Sequence, residues 1–132
     1  MKLSKALPGI ILQKRDSMSE TVERPWGKYT FLDKREDVVV KELVIQPGKS
    51  ISYQRHHKRS ESWFISEGKC IVKYTLRGPD STLRRLLTKF DRFEVPCGMW
   101  HQLINTGTEP CHIVEIQYGE EPNELDIERI EE

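Results

Sequence analysis

Between Gly48 and Gly68 the chain reads GKSISYQRHHKRSESWFISEG. Two β-rich pieces, SISYQ and SWFI, flank a basic turn that holds Lys58, Arg59 and Ser60. Side chains two apart in a strand share a face, so Gln54 and His56 project together while Arg55 faces away. Adjacent histidines cannot both face inward from one strand, which leaves His57 outside. Glu61 stands just ahead of the apolar run, where a tight turn between neighbouring strands would set its carboxylate opposite His56.

Without convergent partners a histidine pair in a basic loop reads as a solvated turn. A second cluster, VPCGMWHQLIN, supplies a partner. Pro96 and Gly98 make a turn, His101 heads a strand, and Asn105 follows on the same face. If the strands close on themselves, His101 meets Gln54, His56 and Glu61. Two imidazoles, a carboxylate and an amide oxygen suit a divalent first-row ion, and the lack of a thiolate argues against a soft-metal site.

The rest of the chain agrees with an all-β reading. From Arg24 onward, YTFL, VVVKELVI, SISYQ, SWFI, CIVKYTL, STLRRLL, RFEV, QLIN and HIVEIQY alternate with RPWG, LDKRED, QPGKS, SEGK, RGPDS, PCG, TGTEP and GEEPNE. Many short strands at close spacing indicate a sandwich, jelly roll or small β-barrel of antiparallel sheets. Residues 1–23 read as an N-terminal arm and 24–132 as a single domain; the acidic tail NELDIERIEE reads as a final helical turn or a solvated end. At 132 residues one core is expected. The 21 basic and 21 acidic residues cancel, so no global field favours nucleic acid or an anionic membrane. No apolar run reaches the length of a membrane span. Three cysteines, Cys70, Cys97 and Cys111, match neither a redox pair nor a disulfide framework, which favours a cytoplasmic setting.

The segment from Gly48 to Gly68 resembles the first cupin motif, with Gln54 in the first histidine position. PCGMWHQLIN resembles the second through Pro96, Gly98, His101 and Asn105. Where that second motif has its opening glycine, this chain has Phe90. More closely, RPWG, VKELVIQPGKSISYQRHHKRSESWFISEG, EVPCGMWHQLINTG and VEIQYGEEPNELDIERIEE look like the C-terminal domain of type II mannose-6-phosphate isomerases, from about Glu23 onward. The resemblance implies a cupin fold and a divalent metal on Gln54, His56, Glu61 and His101, with zinc first and manganese, cobalt or iron as alternatives. It also implies a mannose-6-phosphate isomerase in GDP-mannose biosynthesis that moves a proton between C1 and C2 through an enediolate. In bifunctional members the cupin follows a pyrophosphorylase domain; none lies within these residues, so a stand-alone isomerase without guanylyltransferase activity is expected.

Such chemistry needs a base and a phosphate contact. Lys41 shares strand parity with Leu43 and Ile45, and Glu115 alternates with Ile113 and Gln117; these are the leading candidate bases, each balanced by a surface reading, and His57 is a third. Arg24 in RPWG is the first choice for phosphate, with Lys58 and Arg59 as alternatives against a solvated loop. Trp26 is a sugar platform or barrel-end packing, and Trp63 and Trp100 pack around the ligands. A different class of function is a non-catalytic sugar- or sugar-nucleotide-binding cupin acting with a separate enzyme; a dioxygenase is disfavoured by Gln54. A homodimer paired through sheet edges is expected.

Overall fold

The computed structural model describes residues 20–78, 80–120 and 125–130. They hold eleven strands: β1 (Glu20–Arg24), β2 (Gly27–Lys34), β3 (Val38–Ile45), β4 (Tyr53–Arg55), β5 (Arg59–Glu67), β6 (Cys70–Thr75), β7 (Leu83–Leu87), β8 (Arg92–Val95), β9 (Trp100–Ile104), β10 (Cys111–Gly119) and β11 (Glu128–Ile130). One antiparallel sheet has the order β1-β2-β3-β10-β5-β8 and the other β11-β4-β9-β6-β7. The two sheets enclose one core, the cupin arrangement expected from the motifs. Among the described residues no helix is long and apolar enough to cross a membrane, and Cys70, Cys97 and Cys111 are free thiols.

Alternation along three neighbouring strands builds the interior. In β5 the inward residues are Arg59, Glu61, Trp63 and Ile65; in β3 Val39, Lys41, Leu43 and Ile45; in β10 Cys111, Ile113, Glu115 and Gln117. Register aligns Glu115 with Lys41 on one side and Trp63 on the other, and Gln117 with Glu61. The interior is therefore apolar at one end and polar at the other. Ile45, Ile65, Leu87, Leu103 and Ile113 are fully buried, and each contributes about 1.5–3 kcal/mol by leaving water. That apolar end holds the polar end in place.

Two local features position the motifs. Gly68 has φ +78°, and a Cβ there would lie 2.5 Å from the Pro110 carbonyl oxygen, so only glycine fits the turn from β5 to β6. Phe90 makes the turn before β8 without a glycine by adopting φ +75° itself. Its N–H donates to Ile65 O at 2.7 Å and its ring stacks on Phe64 at 6.1 Å.

The structure differs from the sequence reading at three places. β4 and β5 are not neighbours in one sheet: β4 pairs with β9 and β11, β5 with β10 and β8, so the basic turn is a corner between sheets rather than a hairpin. The acidic tail is not helical where described: Glu128–Ile130 pairs with Arg55–Tyr53 as β11, with Glu128 and Arg129 exposed. The boundary expected between Glu23 and Arg24 falls inside β1. Residues 1–19 of the expected arm lie outside the described residues.

Candidate metal centre and adjoining cavity

His56 sits at the end of β4, Glu61 on β5 and His101 on β9, and one ligand atom from each lies within 4.8 Å of the others. All three are buried. His56 Nε2 is 3.2 Å from Glu61 Oε2, and His101 Nε2 is 3.7 Å from Glu61 Oε1. The outer ring nitrogens fix the tautomers: Nδ1 of His56 donates to Asp126 O at 2.6 Å and Nδ1 of His101 to Met99 O at 2.9 Å. Both Nε2 lone pairs then face the same carboxylate. An arrangement of acceptors around acceptors requires a cation or a proton between them.

The charge states follow from the surroundings. Burial opposes the charge on Glu61, but His56 and His101 whenever they carry a second proton, and the Arg59 guanidinium throughout, hold its carboxyl well below the usual range. Burial lowers His101 to about 4, leaving a neutral imidazole at neutral pH. Its Nε2 is buried and has no hydrogen-bond partner among the described residues. That orphaned nitrogen, opposite an ionised carboxylate and a second imidazole nitrogen, fits a divalent ion with mixed N/O ligands.

Arg59 touches the same atoms. Expected in the basic turn as a phosphate contact, it instead opens β5 with the inward parity of Glu61, Trp63 and Ile65 and is buried. Its Nη2 donates to Glu61 Oε2 at 2.9 Å and to His56 Nε2 at 3.1 Å, and its Nε to Glu61 Oε2 at 3.1 Å. Gln54 lies beside the cluster: its amide nitrogen is 3.5 Å from His56 Nε2, and its Oε1 accepts from Ser52 Oγ at 2.8 Å.

A cavity of about 200 Å³ adjoins this cluster, lined among others by Arg24, Lys41, Gln54, Arg59, Glu115 and Arg129. His56, Glu61 and His101 do not line it. Gln54 and Arg59 stand between. Lys41, buried, places Nζ 4.3 Å from the Tyr29 ring centroid and 5.2 Å from that of Phe31. Glu115 accepts from Trp63 Nε1 at 3.1 Å and from Gln117 Nε2 at 2.7 Å. Burial first and repulsion from Glu61 second raise its carboxyl to about 8, against the pull of Lys41. Gln117 Oε1 is buried without a hydrogen-bond partner among the described residues. Arg24 donates to Tyr29 Oη at 3.4 Å, and Trp26 both lines the cavity and packs against the core.

A larger cleft of about 450 Å³, beside Tyr74, Leu76, Arg77 and Leu83, brings no titratable cluster together. The smaller cavity is the candidate site, because it brings buried titratable side chains together beside the His56–Glu61–His101 cluster.

His57 and Lys58 are exposed and lie outside this cavity. His57 Nε2 instead meets Glu128 Oε1 at 3.0 Å. The backbone N–H groups of both residues donate to the Asp126 carboxylate, at 3.0 and 2.8 Å. Asp126 thus pins the corner that presents His56. It was missed in the sequence, as were Gln117 as an inward acceptor and Arg129 at the cavity mouth. For Gln117 the parity with Ile113 and Glu115 was a usable signal; for Asp126 and Arg129, inside an acidic tail, no local signal exists.

Comparison with known proteins places this geometry. The family model described as "Mannose-6-phosphate isomerase C-terminal" matches residues 12–132. The xanthan biosynthesis protein XanB of Xanthomonas campestris pv. campestris (strain B100) is 38% identical over 111 residues, 84% of this chain and 22% of that protein. The mannose-1-phosphate guanylyltransferase ManC of Salmonella typhimurium is 35% identical over 115 residues, 87% of this chain and 23% of that protein. This chain thus spans less than a quarter of the length of either relative. Among solved structures, the capsular polysaccharide assembling protein CapF of Staphylococcus aureus superposes with a TM-score of 0.76 at 19% identity, over 86% of this chain and 34% of that one. At that identity the likeness shows the fold alone.

These names overturn one expectation. The curated relatives are not named as mannose-6-phosphate isomerases but as a guanylyltransferase and a polysaccharide biosynthesis protein. What they share with this chain is the domain, so the assignment of this chain as a mannose-6-phosphate isomerase does not stand.

Proposed function

The chain belongs to the mannose-6-phosphate isomerase C-terminal family of cupins, and from that premise we propose that it is a metal-holding cupin that binds a hexose phosphate in the cavity above its His56–Glu61–His101 cluster. One observation carries the reading. Four basic side chains from four separate strands, Arg24, Lys41, Arg59 and Arg129, line one small cavity next to a cluster of metal-type ligands. A volume of about 200 Å³ lies below the range of drug-sized pockets and suits a small polar ligand.

His56, Glu61 and His101 would hold the ion, with Gln54 next to them, and zinc is the first choice for this mixed donor set, ahead of manganese, cobalt and iron. When bound, the ion supplies a Lewis acid toward a ligand oxygen. The protein's own side chains do the recognising. Arg24 and Arg129 at the mouth offer guanidinium forks to a phosphoryl group, and Lys41 offers a point charge deeper in. Glu115 keeps its proton at neutral pH and donates it in a hydrogen bond to a sugar oxygen, while the unpartnered Gln117 Oε1 accepts from a sugar hydroxyl.

The names of the relatives support a hexose phosphate, and specifically the mannose phosphates, as the ligand class. In this reading the domain works alongside a guanylyltransferase activity that uses the same class of sugar. Calorimetric titration of the zinc-loaded protein with mannose 1-phosphate, mannose 6-phosphate and unphosphorylated mannose tests it. At least one phosphate should bind about tenfold or more tighter than mannose, the size of one good charge-assisted contact. Equal affinity for mannose and both phosphates would sink the reading.

A further inference from the structure

The Arg59 guanidinium bonds to two of the atoms that an ion would need. A single nitrogen, Nη2, lies 2.9 Å from Glu61 Oε2 and 3.1 Å from His56 Nε2, and Nε adds a second bond to the same carboxylate oxygen at 3.1 Å. The side chain is 4% exposed, so these are bonds without competing water. A lone pair given to a metal ion is not available to an N–H. His56 Nε2 has one lone pair, so the guanidinium and the ion exclude each other there, whereas the Glu61 carboxylate has lone pairs for both.

The unmatched atom points the same way. Arg59 satisfies His56 Nε2 and Glu61 Oε2 but leaves His101 Nε2 without a partner. Buried polar atoms rarely go unpaired, so the leftover His101 nitrogen is where an ion would add a partner. The arginine also lines the cavity while the three clustered residues do not, so it stands on the route from the cavity to the cluster and has open space to retreat into.

Resting on the metal reading of His56, Glu61 and His101, we propose that Arg59 is a tethered cation that neutralises the cluster in the ion-free protein and is displaced toward the cavity when a divalent ion binds. The ion-free site is then kept neutral and folded by the chain itself. Metal uptake becomes an exchange of one cation for another, with an affinity set by Arg59.

The test uses the chelated 132-residue chain. Zinc chloride is titrated calorimetrically into wild type, Arg59→Leu and Arg59→Lys, and each is melted with and without zinc. Arg59→Leu should bind zinc at least about tenfold tighter, the worth of the charge-assisted bonds the ion no longer has to break, with Arg59→Lys in between. Its chelated form should melt below wild type, and zinc should close that gap. Should the leucine variant not fold without metal, the wild type decides: ¹⁵N spectra should show an exchange-protected Arg59 Nε–H in chelated protein that loses its protection at one equivalent of zinc. Unchanged or weaker zinc binding by Arg59→Leu, or a protection unaffected by zinc, overturns the proposal while leaving the metal site standing. No uptake of zinc, cobalt or manganese by any variant overturns both.

Discussion

Glu61 and Glu115 share one hydrogen-bond donor: the Trp63 indole N–H lies 3.2 Å from Glu61 Oε1 and 3.1 Å from Glu115 Oε2. Two carboxyl groups bridged this closely in a buried space do not both ionise at neutral pH. Glu61, with Arg59 and two imidazoles around it, takes the charge, and Glu115 keeps the proton. The division of labour at this site, one anion for a cation and one acid for a ligand, follows from that sharing.

The pH dependence of stability in chelated protein should show it. Glu115, raised to about 8, binds a proton in the folded state that the unfolded chain has released above about 4.5, so its contribution is full below that pH and is lost as pH rises to 8. His101, lowered to about 4, runs the other way: its contribution is present above about 6.5 and lost as pH falls through 4. The opposed slopes give a plateau between about pH 4.5 and 6.5, followed by a decline toward 8 of about 2 kcal/mol. Urea unfolding across pH measures this. Glu115→Gln should flatten the decline above 6.5, and an unchanged decline in that variant would show that another group causes it.

At the cavity mouth, Arg24→Ala and Arg129→Ala should each weaken hexose phosphate binding about tenfold, as expected for one charge-assisted contact, and leave unphosphorylated mannose unaffected. Both side chains are exposed, so melting temperatures should barely move. Equal losses for phosphate and neutral sugar would remove these arginines from anion recognition.

Phe90 separates a backbone requirement from a side-chain one. A non-glycine residue at φ +75° costs about 1–2 kcal/mol in that conformation, and the ring it presents is 65% exposed. Phe90→Gly should therefore change stability by less than about 1 kcal/mol, since relief of strain offsets glycine's entropy. Phe90→Val, β-branched and ill suited to this region, should destabilise by about 1–2 kcal/mol. Denaturant midpoints report both. A large loss with glycine would mean that the Phe64 stack holds the turn.

The fold and the metal-type cluster were legible because their signals are local. Period-two alternation marked the strands, and the fixed spacings around Gln54, His56, Glu61 and His101 marked one end of the barrel. The same alternation could have placed Arg59 inside, since it shares parity with Glu61, Trp63 and Ile65; its position among basic neighbours in a turn outweighed that signal. Arg129 and Asp126 were not legible at all. Their segment reaches the site only by pairing β11 with β4, more than 70 residues away, and nothing in an acidic tail announces such a pairing. Phe90 shows the converse, a motif position filled by the wrong residue type where the surrounding strands still impose the turn.

The measurement that bears most directly on the central claim is the zinc stoichiometry of chelated protein, wild type against His101→Ala. His101 contributes the cluster's buried nitrogen that has no other partner among the described residues, so its loss removes a ligand without breaking another hydrogen bond at that atom. One equivalent of zinc bound by wild type, with a rise in melting temperature, and at least about a hundredfold weaker binding by the variant is the result predicted for a metal-holding cupin. No zinc, cobalt or manganese bound by wild type, or equal binding by His101→Ala, would contradict it.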